Sequence, residues 1–208
     1  NAENEPQNWL HIHGNYSSTR FSKLSQVNTN NAGNLQLAFA VALGGTKKSW
    51  IGGGTLQGTP LVNGGDLYVA NGWGETYKID VRSGRRGTIR WIMDPGVDPT
   101  EADLPNNRGV ALWGNNVYTA TLDGRLMATD AASGEVVWEK QVNEGRPGNG
   151  VHLKNSLASE TPVSDGTHIY TYFGNHQLAC LDLKGEMVWS QKMAVHKIRF
   201  DWGTAASP

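Results

Sequence analysis

The stretch Gly58-Thr59-Pro60-Leu61-Val62-Asn63-Gly64-Gly65-Asp66-Leu67-Tyr68-Val69 decides the fold, because the chain writes it three times. It returns as Gly109-Val110-Ala111-Leu112-Trp113-Gly114-Asn115-Asn116-Val117-Tyr118-Thr119. The third copy is Glu160-Thr161-Pro162-Val163-Ser164-Asp165-Gly166-Thr167-His168-Ile169-Tyr170-Thr171. Tyr68, Tyr118 and Tyr170 are 50 and 52 residues apart. A period of this length, built of short strands and turn signals, marks a propeller blade or a related array. One such unit cannot bury its own faces and must stack on its copies.

Each copy continues alike. Glu75-Thr76-Tyr77-Lys78-Ile79-Asp80, Arg125-Leu126-Met127-Ala128-Thr129-Asp130 and Gln177-Leu178-Ala179-Cys180-Leu181-Asp182 read as third strands. A turn at Ser83-Gly84, Ser133-Gly134 or Lys184-Gly185 follows, then a strand carrying Trp91, Trp138 or Trp189. Alternation over four to six residues, ended by glycine-containing turns, predicts four antiparallel strands per repeat. No segment has a capped helical period, so the predicted class is all-β. The repeats lie near 58–92, 109–140 and 160–190. Strands over 8–43 and at 203–208 are expected to belong to incomplete or closing blades of one partial ring, 1–208. Residues 44–58, 94–107 and 143–156 lack strand periodicity and read as loops between blades. The three indoles are expected to wedge between successive sheets.

Composition narrows the function. The net charge of −1 comes without any run of like charges, which argues against a nucleic-acid or membrane-surface role. No apolar run reaches the roughly 18 residues of a membrane helix. The 26 glycines and 8 tryptophans suit many tight turns and aromatic packing units. Cys180 is the only cysteine, so an internal disulfide or CxxC motif is excluded. The polar start Asn1-Ala2-Glu3-Asn4-Glu5-Pro6 has no signal-peptide pattern.

Ala128-Thr129-Asp130-Ala131-Ala132-Ser133-Gly134-Glu135-Val136-Val137-Trp138 resembles the tryptophan-docking motif of quinoprotein propellers. A flat indole fills the gap between blades, and its N–H needs a partner there. Asp130 and Asp182, just before turns, are placed to bind turn amides. Trp9, Gly14, Tyr16, Arg20-Phe21-Ser22-Lys23-Leu24, Gln26-Val27-Asn28, Asn31-Ala32, Leu35, Ala38 and Phe39 resemble the start of alcohol dehydrogenases that use pyrroloquinoline quinone (PQQ). The likeness continues through Gln57-Gly58-Thr59-Pro60-Leu61-Val62 and Asn107-Arg108-Gly109-Val110-Ala111-Leu112-Trp113, covering about 8–142. From about 143 to 208 the chain resembles PQQ-like propeller repeat proteins related to the assembly factor BamB, which lack the quinone.

The resemblance implies a quinoprotein-type β-propeller with eight four-stranded blades, of which this chain holds about four. It implies a PQQ-dependent oxidation of a primary alcohol, in a periplasmic or otherwise exported protein. Arg108 matches an arginine that contacts PQQ, whose three carboxylates suit a planar guanidinium. Gln57 stands where relatives place a Glu or Gln near the ring. The alternative is structural: Arg108 braces a loop carbonyl and Gln57 satisfies a strand end. Two family features are missing, an adjacent cysteine pair (here near Ala102-Asp103) and a calcium-binding glutamate segment within 160–176. Calcium therefore finds no ligands in this chain, and the catalytic base is not among these residues. The competing expectation is a non-catalytic propeller that binds protein or builds an assembly. Either way the partners are the remaining blades or a second chain that closes the ring.

Other candidates weigh less. His11 and His13 alternate and could share a metal, but no third ligand is near. Gly52-Gly53-Gly54-Thr55 lacks the lysine and helix of a phosphate loop. His152, His168, His176 and His196 are expected to face solvent. Trp73 and Trp113 sit at strand ends, where they either pack blades or floor a cavity. Asn15-Tyr16-Ser17 is a formal glycosylation sequon.

Overall fold

The computed structural model describes residues 4–43, 55–101, 105–144 and 160–194. Among these described residues fourteen strands carry the architecture. β1 (Thr55–Leu56) precedes the first sheet of β2 (Leu61–Asn63), β3 (Asp66–Ala70), β4 (Thr76–Asp80) and β5 (Thr88–Met93). β6 (Asn106–Asn107) precedes the second sheet of β7 (Ala111–Trp113), β8 (Asn116–Ala120), β9 (Arg125–Asp130) and β10 (Val136–Gln141). The third sheet holds β11 (Val163–Ser164), β12 (His168–Phe173), β13 (Gln177–Asp182) and β14 (Met187–Lys192). Each sheet is an antiparallel meander in chain order, as the glycine-rich turns require.

Register repeats with the sequence. Leu61 faces Tyr68, Ala111 faces Tyr118 and Val163 faces Tyr170. Counted from these tyrosines, Gly58 is equivalent to Arg108 and Glu160, each ten residues before its tyrosine. Lining up Gly58 with Gly109, as the sequence suggests, is therefore one residue out of structural step.

The sheets stack face to face like blades around an axis. Leu61, Tyr68, Ala70, Trp91 and Met93 of the first sheet share a core with Val110, Val117 and Met127 of the second. Ala111, Tyr118, Leu126 and Ala128 pack in turn on Ile169, Ala179 and Leu181 of the third. Removing such side chains from water contributes roughly 1.5–3 kcal/mol apiece.

The indoles lock these seams. Trp91 donates through Nε1 to the Ala131 carbonyl at 3.2 Å and covers Gly134, whose added Cβ would stand 2.6 Å from the ring. Trp138 repeats the arrangement one sheet on, donating to the Leu183 carbonyl at 3.0 Å over Gly185. Within each blade the indole tilts against the strand tyrosine, with centroids 6.1 Å apart for Tyr68–Trp91, 5.9 Å for Tyr118–Trp138 and 6.2 Å for Tyr170–Trp189. The turns are shaped as expected. Asp130 Oδ1 accepts the Ala132 and Ser133 N–H groups, and Asp182 Oδ1 accepts those of Lys184 and Glu186.

The N-terminal region corrects the expectation of strands over 8–43. Apart from a single bridge, Trp9 to Val62, and a 3-10 turn at Ala32–Asn34, it runs as irregular chain. Val41 and Leu43 pack on Val69, Tyr77 and Ile79 of the first sheet. A strand also needs a continuous ladder, and the described residues give this region only the single Trp9–Val62 bridge. The expected strand at 203–208 lies outside the described residues. Two of the presumed loops hold more order than expected, because β1 and β6 form a short parallel pair across them.

Candidate functional site

The β1–β6 pair is the local device that assembles the site. Thr55 faces Asn106 and Leu56 faces Asn107, so a loop before the first blade is tied to a loop before the second. The next residues out are Gln57 and Arg108, the two positions singled out in the sequence. Beyond them the Thr59 N–H donates to the Arg108 carbonyl at 3.0 Å, which keeps the two chains together as they enter β2 and β7.

Asn107 anchors this end. It is 1% exposed, donates through Nδ2 to the Ala120 carbonyl at 2.8 Å, and accepts the Gly109 N–H at 3.0 Å. Gly109, at φ +144, sits where a side chain would be strained, and the Asn107 bond holds that backbone. With Asn107 turned into the blade, alternation sends Arg108 to the other side, the side of Asn106. There the Thr55 hydroxyl donates to Asn106 Oδ1, and Gln57 Nε2 donates to Thr55 Oγ1 at 2.9 Å. Gln57 is exposed and Arg108 half-buried. A guanidinium and a primary amide side by side suit a molecule with carboxylate and polar ring groups.

The sequence had no means of finding Thr55, Asn106 and Asn107. The one signal was the Asn-Asn-Arg-Gly run, in which an Asn two residues before a Gly favours an Asx-type bond. A second polar cluster lies in the first blade. Glu75 accepts from Asn71 Nδ2 at 2.6 Å and from the Tyr77 hydroxyl at 3.0 Å. Burial and this carboxylate push the Tyr77 phenol up to about 12.

The other candidates resolve individually. Trp73 is fully buried with Val97, Ala120, Leu122 and Phe173, so it packs blades. Trp113 lies over Gly166 of the third sheet and also walls a cavity of about 420 Å³ with Leu10, His11, Tyr16 and Leu112. His11 and His13 have ring centroids 5.9 Å apart, and Arg20 Nε points at His13 Nδ1 from 3.0 Å. Burial, with His13 beside it, holds His11 below the ordinary imidazole range, which disfavours a cationic ring there. Among the described residues no group of three or more His, Cys, Asp or Glu is placed to hold a metal. His168 and His176 are half-buried rather than fully solvent-facing, and they contact Thr167 and Tyr172. His152, His196, Gly52–Gly54 and Ala102-Asp103 lie outside the described residues. Among those residues no helix is long and apolar enough to cross a membrane.

Comparison with known proteins agrees with the propeller fold. The family model described as "Glucose/ethanol/alcohol dehydrogenase, beta-propeller domain" matches residues 9–139, which takes in the first two blades. The quinohemoprotein alcohol dehydrogenase of Comamonas testosteroni is 38% identical over 154 residues, 72% of this chain and 20% of that protein. Its crystal structure superposes with a TM-score of 0.72 over 88% of this chain and 27% of its own. The dehydrogenase subunit of a quinone alcohol dehydrogenase from Gluconacetobacter polyoxogenes is 37% identical over 141 residues, 66% of this chain and 18% of that one. A europium-containing methanol dehydrogenase shares the fold, with a TM-score of 0.76 at 24% identity over 91% of this chain and 32% of its own. The chain thus spans about a fifth of the length of these curated relatives.

Proposed function

We propose a cofactor-orienting role for this chain, which belongs to the β-propeller family of PQQ-linked glucose, ethanol and alcohol dehydrogenases. In this reading it is a blade segment of a PQQ-dependent alcohol dehydrogenase, and Gln57 and Arg108 hold the quinone. The supporting observation is the parallel β1–β6 pair, which places those two residues next to each other from separate blades. PQQ fits the donor set: it carries three carboxylates for a guanidinium fork and polar ring atoms for an amide. When bound, the quinone supplies the two-electron acceptor for oxidation of a primary alcohol. In this reading the described residues contribute binding and orientation, and among them no group of three or more His, Cys, Asp or Glu is placed to hold a metal ion.

The seams at Trp91 and Trp138 are read as tryptophan docking, the structural half of the same identity. An exported, periplasmic setting follows from the quinoprotein relationship, as part of this proposal.

Titration of the chain with PQQ, followed by tryptophan fluorescence, tests the reading. Saturable quenching that Arg108→Ala weakens about tenfold is the expected result, since a charge-assisted pair is lost. Absence of quenching would sink it.

One observation favours a role in assembly beside this one. Trp189 has the same tyrosine contact as its two counterparts, yet it is 41% exposed, and Val188 beside it is exposed too. An indole at that position suits a glycine turn of a further blade, supplied by the same polypeptide or by a second chain. Light scattering is expected to show self-association of the 208-residue chain; a clean monomer at high concentration contradicts it.

A further inference from the structure

We propose that Asn63 is a site of spontaneous deamidation, and that the N-terminal arm keeps it closed through the Asn8 carboxamide. In this reaction the backbone nitrogen after an asparagine attacks the side-chain Cγ. An N–C bond forms, and the amide nitrogen leaves as ammonia with the proton that the backbone nitrogen gives up. Water then opens the cyclic succinimide at either carbonyl, leaving aspartate or isoaspartate. Glycine in the following place resists least, because it has no Cβ to crowd the ring. Asn63-Gly64 has this sequence at the turn between β2 and β3, and both residues are exposed to water.

The arm engages both reacting groups. The Gly64 N–H donates to Asn8 Oδ1 at 2.9 Å. Asn8 Nδ2 stands 3.4 Å from Asn63 Oδ1 and donates to Glu5 Oε2 at 2.8 Å. A nitrogen whose proton is held in a hydrogen bond is harder to deprotonate, and the contact at Oδ1 draws the Asn63 amide toward the arm. Register sets this clamp. Trp9 and Val62 exchange backbone hydrogen bonds of 2.8 and 2.9 Å, so the next rung brings Asn8 against Asn63. The clamp therefore lasts only while the arm lies on β2.

Asn71-Gly72, the other such pair among the described residues, is closed without the arm. Asn71 is 5% exposed, and its Oδ1 accepts the Trp73 and Glu75 N–H groups at 3.0 and 3.1 Å. Its own turn holds it, which makes it an internal reference. Conversion at Asn63 is irreversible and weakens what protected it. Isoaspartate reroutes the main chain through Cβ in the turn that joins the paired residues Asn63 and Asp66. Either product sets a carboxylate opposite Asp66, and like charges across a ladder repel. A chain whose arm has been lifted is thus marked covalently.

The test is peptide mapping by mass spectrometry of the 208-residue chain held in mildly alkaline buffer, with isoaspartate identified by enzymatic methylation. Asn8→Ala is expected to convert Asn63 about tenfold faster than wild type, as for loss of a net hydrogen bond of ordinary strength, with Asn71 unchanged. A thermal melt checks that the variant is folded. The urea-unfolded chain supplies the open-site rate, where wild type and Asn8→Ala should agree. Equal Asn63 rates in the folded wild type and folded Asn8→Ala overturn the shielding. A parallel rise at Asn63 and Asn71 overturns it too, since general loosening would then be the cause. Absence of conversion at Asn63 in the unfolded chain overturns the site itself.

Discussion

Trp138 lies flat on Gly185 of the neighbouring blade, so close that a Cβ on the glycine would stand 2.7 Å from indole Cδ2. The same turn presents the Leu183 carbonyl to the indole N–H. Neither half works alone: a side chain under the ring would lift it, and the N–H would lose its acceptor inside a seam. Gly185 also has φ +86, a conformation that costs other residues energy.

Gly185→Ala should therefore destabilise the chain by about 3 kcal/mol, combining left-handed strain with overpacking. Gly84→Ala is the control, since its φ of +62 is similar but its Cβ would meet open space. It should cost only about 1 kcal/mol. Urea unfolding of both variants checks the difference, and equal losses would deny the indole any part in it.

Asn107→Ala removes a donor to the Ala120 carbonyl and the acceptor of the Gly109 N–H in a buried place. A loss of about 2–4 kcal/mol is expected from two broken bonds with partners left unsatisfied. Because Arg108 follows directly, PQQ affinity should also fall. Denaturation and quinone titration together test this, and a stable variant with weakened binding would show that Asn107 acts on the site alone.

Arg108→Lys keeps the charge and loses the planar fork. About a tenfold weaker PQQ titration is predicted. If lysine serves as well as arginine, bidentate pairing is not how this position works.

Acid should loosen the turns. The Arg90 guanidinium and the Arg82 backbone N–H hold Asp80 down from the ordinary 3.8 to about 2. A folded-state pKa below the unfolded one gives a contribution that is complete above about pH 4 and lost as pH falls through about 2. Asp80→Asn should thus be less stable than wild type at pH 7, with the gap narrowing by pH 2. At the alkaline end the sign reverses. The Asp165 carboxylate and burial raise Tyr170 to about 12, so its contribution is whole below about pH 10 and fades toward 12. Urea midpoints across pH for Asp80→Asn and Tyr170→Phe check both limbs.

The blade plan was legible because its markers are chemically narrow. An indole fills each of these seams over a glycine, and Trp91–Gly134 recurs one blade on as Trp138–Gly185. The N-terminal arm departs from the expected strands for a physical reason: strand character depends on a neighbour that the arm's own sequence does not name. Gln57 and Arg108 could be singled out only by resemblance. Their supports, Thr55, Asn106 and Asn107, escaped notice because a two-residue ladder leaves no periodic trace. The one-residue offset between Gly58 and Gly109 escaped for a similar reason, since glycines are easier to align by eye than tyrosine pairings.

That offset reaches beyond alignment. Gly58, Arg108 and Glu160 stand at one lattice point of the repeat, so consecutive blades place a bare backbone, a guanidinium and a carboxyl group at equivalent positions. The chemistry at that point is thus encoded by a single codon per blade, apart from the seams that keep the sheets joined. Selection could retune what such a scaffold attracts, one substitution at a time, with its skeleton untouched.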